Sequence, residues 1–184
     1  MPAVVVVDHD PNWAKLFETL RSGILPVVAD LAISIEHVGS TAVPGLPAKP
    51  VIDMDVVVLD SNLRVAIERL ATLGYVHRGN LGIPHREAFD APPGSPRHHL
   101  YLCPSNSLAL QNHLVVRDCL RADPLMRDEY GKLKRRLAEQ HRDDIDAYVA
   151  AKTNFLLAIL RDHGFTDDSL DDIQRANQRP SGAV

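Results

Sequence analysis

HVGSTAVPGLPAKPVIDMDVVVL, residues 37–59, sets a Gly-Ser pair and a Pro/Gly-rich loop ahead of an apolar strand that carries aspartate twice. Side chains along a strand alternate between its faces, so Asp53, Asp55 and Val57 share one face while Ile52, Met54, Val56 and Val58 share the other. The second set is the core face. Carboxylates two positions apart stand roughly 7 Å apart at their backbones, where repulsion and lost hydration are unfavourable unless a cation compensates them. Mg²⁺ suits such a pair: it prefers oxygen donors, takes one or two protein carboxylates, and fills its other positions with water and phosphate. For an isolated Asp-x-Asp the alternative is a solvated edge strand whose charges discourage aggregation. Gly39-Ser40 weighs against that alternative, because a turn directly after a strand can present amides and a hydroxyl to a phosphate.

Working outward, Ile33 to Val38 reads as the strand before this turn and Val51 to Leu59 as the one after it. Upstream, Asp10 can cap a helix that opens with Pro11 and continues through Trp13, Leu16, Phe17 and Leu20, with Pro26 expected to kink or split it. Downstream, Asn62 to Leu73 reads as a helix stopped by Gly74. Tyr75 to Arg78, His85 to Phe89 and Arg97 to Leu102 read as short strands, the last two joined across Ala91 to Pro96. From Ser107 the pattern changes to amphipathic helices at about 107–121, 124–140 and 144–163. The expected organisation is one α/β domain over residues 1–163. Residues 1–105 form a sheet-containing core, residues 106–163 a helical part, and residues 164–184 an acidic, loose tail.

Composition excludes several classes. The chain has 184 residues, 45% of them hydrophobic, enough for a single ordinary core, and its formal charge of −4 argues against a large nucleic-acid interface. Cys103 and Cys119 have neither metal-type nor disulfide-scaffold spacing and are read as reduced. MPAVVVVDHD lacks the features of a signal peptide, and no apolar run is long enough to span a bilayer, so no membrane association and a cytoplasmic location are expected. Nucleophilic catalysis finds little support: Ser40 precedes Thr41 instead of sitting in a nucleophile elbow, and neither cysteine has a partner pattern.

A strand, Gly39-Ser40, a short connection and a strand bearing Asp53-x-Asp55 together resemble the nucleotidyltransferase superfamily, the polymerase-beta-like fold. The run His37-Val38-Gly39-Ser40-Thr41-Ala42-Val43-Pro44-Gly45-Leu46, with Lys49-Pro50 and Ile52-Asp53, resembles the GrpB family (UPF0157-type) more narrowly. His99-Leu100, Arg117-Asp118 with Leu120, Tyr130 with Leu133-Lys134, and Tyr148 with Lys152 extend the resemblance from Asp10-Pro11-x-Trp13 to about residue 163. It implies a mixed sheet with flanking helices and a C-terminal helical subdomain. It further implies a Gly-Ser turn for the phosphates of a nucleoside triphosphate or other phosphorylated small molecule, and Mg²⁺ (or Mn²⁺) on Asp53 and Asp55 for transfer of a nucleotidyl or phosphoryl group to a small acceptor. The chain departs from the pattern twice. Tyr101 stands where the family tends to carry a second histidine after His99. The strand Arg97 to Leu102 lacks the third carboxylate usual in active superfamily members, for which Glu87 and Asp90 are the nearest substitutes in sequence.

Arg97, His99 and Tyr101 share a strand face, which joins the aspartates if that strand lies beside Val51 to Leu59. His99 can act there as base, metal ligand or phosphate donor, or be a hydrogen-bonded structural histidine. Lys49, which a loop would ordinarily leave solvated, is read with the family match as a phosphate contact alongside Gly39, Ser40 and Thr41. Tyr130 with Lys134, and Tyr148 with Lys152, are each four apart on a helix face, and both faces could close over one pocket. Arg117 either positions substrate or forms an ion pair with Asp118. His37 is read as orienting the turn, and the other histidines, His113 included, are assigned nothing. Two further functions stay open: a non-catalytic nucleotide- or metabolite-binding module, and an enzyme that reuses the pocket for other small-molecule chemistry with His99 as acid or base.

Overall fold

Asp10 accepts the Asn12 amide on Oδ1 at 2.9 Å and opens the first helix, α1 (Asn12–Val28), in a computed structural model that describes residues 3–178. Trp13, Phe17, Leu20, Ile24 and Val28 recur every three or four residues and form its buried stripe. The expected split at Pro26 does not occur, and α1 runs on to Val28. A proline in the last turn gives up its own amide bond, while Ile24 and Val28, 1% and 0% exposed, hold that turn against the core.

Five strands follow: β1 (Ala32–Val38), β2 (Ile52–Val58), β3 (Val76–His77), β4 (Glu87–Asp90) and β5 (His98–Pro104), with helix α2 (Leu63–Ala71) after β2. They form one mixed sheet in the order β1-β2-β5-β4-β3, in which β2 and β5 run parallel and the other neighbours antiparallel. The core face of β2 is the expected one. Ile52, Met54, Val56 and Val58 pack with Leu100 and Leu102 against Phe17, Ile24 and Val28 of α1 and Ala66 and Leu70 of α2. On the other face Val57 packs with Cys103 and Leu110, so β2 is covered on both sides and is no solvated edge.

That second face carries the helical part: α3 (Leu108–Ala122), α4 (Pro124–Gln140) and α5 (Ile145–Asp162). Their starts are written in the sequence. Ser107 accepts the Leu110 amide, Asp123 those of Leu125 and Met126, and Asp144 that of Ala147. Among the described residues no helix is long and apolar enough to cross a membrane.

The expected loose tail is corrected in part. Asp167–Asn177 is a sixth helix, α6, capped by Thr166, with Asp167 and Asp168 in its first turn where the helix dipole favours negative charge. Leu170 and Ile173, 2% and 7% exposed, pack on Leu157 and Leu160 of α5, and this burial is what orders the segment. Residues 179–184 lie outside the described residues. Leu170→Ala is expected to destabilise the protein by about 3 kcal/mol in urea unfolding, and an unchanged midpoint would mean that α6 adds nothing to the core.

Candidate functional site

The parallel register of β2 and β5 sets Asp53 opposite His99 and Asp55 opposite Tyr101. His99 Nδ1 lies 2.8 Å from Asp53 Oδ1. His113, reaching down from α3, places its Nδ1 2.8 Å from Asp55 Oδ2. The Tyr101 ring stands between the two imidazoles, its centroid 6.3 Å from that of His99 and 5.9 Å from that of His113, with the Arg86 guanidinium stacked on it at 4.3 Å. Burial opposes ionisation of Asp53, but the His99 hydrogen bond and the charges of His99, His113 and Lys152 outweigh it and hold the carboxyl below its usual range. Burial also opposes protonation of His113, yet Asp55 more than compensates and raises it. Burial pushes the Tyr101 phenol up to about 12, so it stays neutral near pH 7. Asp55 is 0% exposed, and its Oδ1 has no hydrogen-bond partner among the described residues.

Gly39 makes the turn after β1 possible on two counts. Its φ of +69° suits glycine, and a Cβ there would lie 2.3 Å from Asp53 Oδ2, so the turn backbone rests directly on the carboxylate. Ser40–Ala42 then forms a single tight turn. Thr41 Oγ1 donates to the Val51 carbonyl at 3.3 Å, which leaves it to accept from His37 Nε2 at 3.0 Å. The His37 ring stacks on Phe17, with centroids 4.7 Å apart, and its burial lowers its pKa to about 4. His37 is therefore a neutral strut under the turn.

The helical part grips the loop that follows. Arg117 donates to the His37 carbonyl at 3.2 Å, Arg121 to Ala42 at 2.9 Å and Arg127 to Pro44 at 3.4 Å, and Lys134 Nζ donates to Pro47. Cations of α3 and α4 thus satisfy a carbonyl at the end of β1 and three that the irregular loop after it does not pair internally.

Between turn, sheet and helices lies a cavity of about 300 Å³. Gly39, Ser40 and Lys49 line one side, Asp53, His99 and Tyr101 the sheet side, and His113, Tyr130, Lys134, Tyr148 and Lys152 the helical side. Burial first, then repulsion from Lys49, lowers Lys152 to about 8. Burial first, then repulsion from Lys152 and Arg135, lowers Lys134 well below the ordinary lysine value. Burial lowers Lys49 too, although Asp53 opposes it. Among the described residues none of the three lysines is within ion-pair distance of a carboxylate. The cavity is thus a concave positive surface with one carboxylate, Asp53, on its opposite wall.

Several residues singled out from the sequence sit differently from the expectation. Arg97 is exposed and does not line the cavity, because it precedes the first residue of β5. Thr41 lines it, but its hydroxyl is committed to Val51 and His37. Arg117 lines the cavity while held in ion pairs by Glu36 at 2.7 Å and by Asp118 at 2.7 and 3.1 Å. Asp55 is not among the cavity-lining residues, whereas His113, bonded to it, is. Glu87 bonds His77 at 2.6 Å and Asp90 pairs with Arg78 at 3.5 Å, so neither supplies the third carboxylate. Among the described residues no group of three or more His, Cys, Asp or Glu side chains is placed to hold a metal ion. Sequence reasoning missed His113, Asn112 and Asn177 of α6, all lining the cavity. Only His113 left a trace, standing four residues before Arg117 on the same helix face.

Comparison with known proteins agrees with this architecture. The family model described as GrpB protein matches residues 3–162. Glutamate-rich protein GrpB of Alkalihalophilus pseudofirmus is 33% identical over 165 residues, covering 86% of this chain and 95% of that protein. UPF0157 protein YqkA of Bacillus subtilis is 32% identical over 154 residues, and the match spans 83% of this chain but only 45% of that longer protein. Among solved structures, the conserved protein GrpB from Enterococcus faecalis superposes with a TM-score of 0.76 at 30% identity, covering 91% of this chain and 98% of that one. Cid1 in complex with the UTP analog UMPNPP gives a TM-score of 0.52 at 15% identity over 82% of this chain and 49% of that one, a likeness of fold alone.

Proposed function

The chain belongs to the GrpB family, and from that membership and the cavity we propose that it binds a phosphorylated small molecule, a nucleoside triphosphate foremost, and transfers its nucleotidyl or phosphoryl group to a small acceptor. The observation that carries this reading is the convergence of Lys49, Lys134 and Lys152, from a loop and two helices, on a cavity where none of them is paired with a carboxylate among the described residues. One buried and two half-buried lysines, with Lys152 repelled by Lys49 and Lys134 by Lys152, are an unfavourable arrangement that a polyanion relieves. Gly39 and Ser40 would receive phosphate at the turn, and Tyr130 and Tyr148 would wall the pocket around it.

The nucleotidyltransferase fold implies a divalent ion, Mg²⁺ or Mn²⁺, and the residues present fit one such ion. Among the described residues Asp55 Oδ1 is a buried carboxylate oxygen without a partner and Asp53 Oδ2 beside Gly39 bears no hydrogen bond, so these two would hold it. The ion would supply a Lewis acid to a phosphoryl oxygen. The chain's own part is to position: Asp53 orients His99 through Nδ1, and Nε2, without a hydrogen bond among the described residues, would be suited to move a proton at the acceptor. The missing third carboxylate favours a second reading, a module that binds the nucleotide without turning it over. Titration calorimetry with each nucleoside triphosphate, with and without Mg²⁺, followed by an acceptor screen, separates the two. Metal-dependent binding with turnover supports transfer, binding without turnover supports the module, and no nucleotide binding sinks both.

Lys152 also gives a pH dependence with an unusual sign. Its pKa falls from 10.5 in the unfolded chain to about 8 in the fold, so between these values the unfolded state holds more protons. The ligand-free protein should therefore gain stability, relative to Lys152→Met, as pH rises from about 8 toward 10. Affinity for inorganic tripolyphosphate should fall over the same interval as the ammonium is lost. Parallel urea titrations and calorimetry across that interval check both signs, and two curves moving together would contradict the assignment.

A further inference from the structure

Catalysis by two ions on carboxylates places the ions about 3.5–4 Å apart and needs anionic oxygens enough to hold both. In this chain both aspartates have already given one oxygen to an imidazole: Asp53 Oδ1 to His99 and Asp55 Oδ2 to His113, each at 2.8 Å. Asp53 Oδ2 and Asp55 Oδ1 remain. On the neighbouring strand the residue opposite Asp55 is Tyr101, a phenol and not a carboxylate. The other carboxylates of the sheet are committed elsewhere, Glu36 to Arg117 at 2.7 Å, Glu87 to His77 at 2.6 Å and Asp90 to Arg78 at 3.5 Å.

We infer that His113 is a site residue that occupies the second oxygen of Asp55 and leaves donors for a single divalent ion, shared between Asp53 and Asp55. The chain thereby handles its phosphorylated ligand with one ion where a two-ion site would use a second. This rests on the function proposed above and deepens it. The negative charge that a second ion would neutralise falls to Lys49, Lys134 and Lys152, which line the same cavity. His113 acts through Asp55 and is a positioning residue: it fixes which carboxylate oxygen is free and blocks bidentate or bridging use of that carboxylate.

Counting bound Mn²⁺ by the loss of the free-ion electron paramagnetic resonance signal tests the idea on the intact chain. The wild type is expected to bind one Mn²⁺, and His113→Ala, which frees Asp55 Oδ2, is expected to bind more than one. His113→Asn can keep a hydrogen bond to Asp55 and should stay at one, which keeps the test decisive should the alanine variant fail to fold. Two ions on the wild type overturn the inference and leave the proposed function standing, as does an unchanged count in a folded His113→Ala. No bound Mn²⁺ in the wild type overturns the inference together with the metal part of the proposed function.

Discussion

Asp53→Asn is expected to weaken Mg²⁺-dependent binding of inorganic tripolyphosphate by about 100-fold, while metal-free binding stays level or tightens. The opposite signs follow from the electrostatics. Asp53 is the carboxylate on the cavity wall, held ionised by His99, His113 and Lys152, so without a metal it repels the anion that the lysines attract. With the proposed metal bound it would be the ion's anchor. Asparagine keeps the shape and can still hydrogen-bond His99 Nδ1, so the fold should survive the change. Calorimetry on the variant with and without Mg²⁺ reads both signs, and equal losses in the two conditions would show that Asp53 merely supports the fold.

Gly39→Ala is expected to lose metal-dependent binding entirely and to destabilise the protein by at least about 2 kcal/mol. Two penalties act on one atom. A left-handed φ of +69° is unfavourable for any residue with a Cβ, and this Cβ would stand 2.3 Å from Asp53 Oδ2, a contact no packed structure accepts. Either the turn or the carboxylate must move, and each displaces an oxygen or amide that the site needs. Gly23→Ala is the natural control, because a Cβ there meets nothing within 4 Å. Urea midpoints and Mn²⁺ binding on both variants check the claim, which fails if Gly39→Ala behaves like the control.

What the sequence disclosed and what it hid divide along the range of the interactions involved. The two faces of β2 were legible because strand alternation is local, and the three helices from residue 107 onward because an amphipathic pattern repeats within each segment. The adjacency of β2 and β5 could be framed only as a condition, since the segment 59–97 between them says nothing of register. His113 left only its helical spacing from Arg117, which says nothing of its partner, because Asp55 lies 58 positions away. Arg121, Arg127 and Lys134 reach loop carbonyls 79, 83 and 87 positions upstream, where a sequence reader sees only a basic helix face. Helix α6 was hidden by its acidity. Leu170 and Ile173 give it the right spacing, but two apolar anchors among so many aspartates read as solvated chain until α5 is there to receive them.

The grip of α3 and α4 on the loop carbonyls has a consequence for the order in which the protein folds. The Gly-Ser turn and its loop belong to the N-terminal quarter of the chain, yet Lys134, one of the donors that pair their carbonyls, lies about ninety positions later than the turn. Contacts of such long separation close late, because loop-closure entropy must be met before they contribute. During synthesis β1 and β2 emerge well before the side chains that complete the loop between them, so the Gly-Ser turn sets only once α4 has left the ribosome. The part of the molecule that reads earliest in the sequence is therefore among the last to take its working shape.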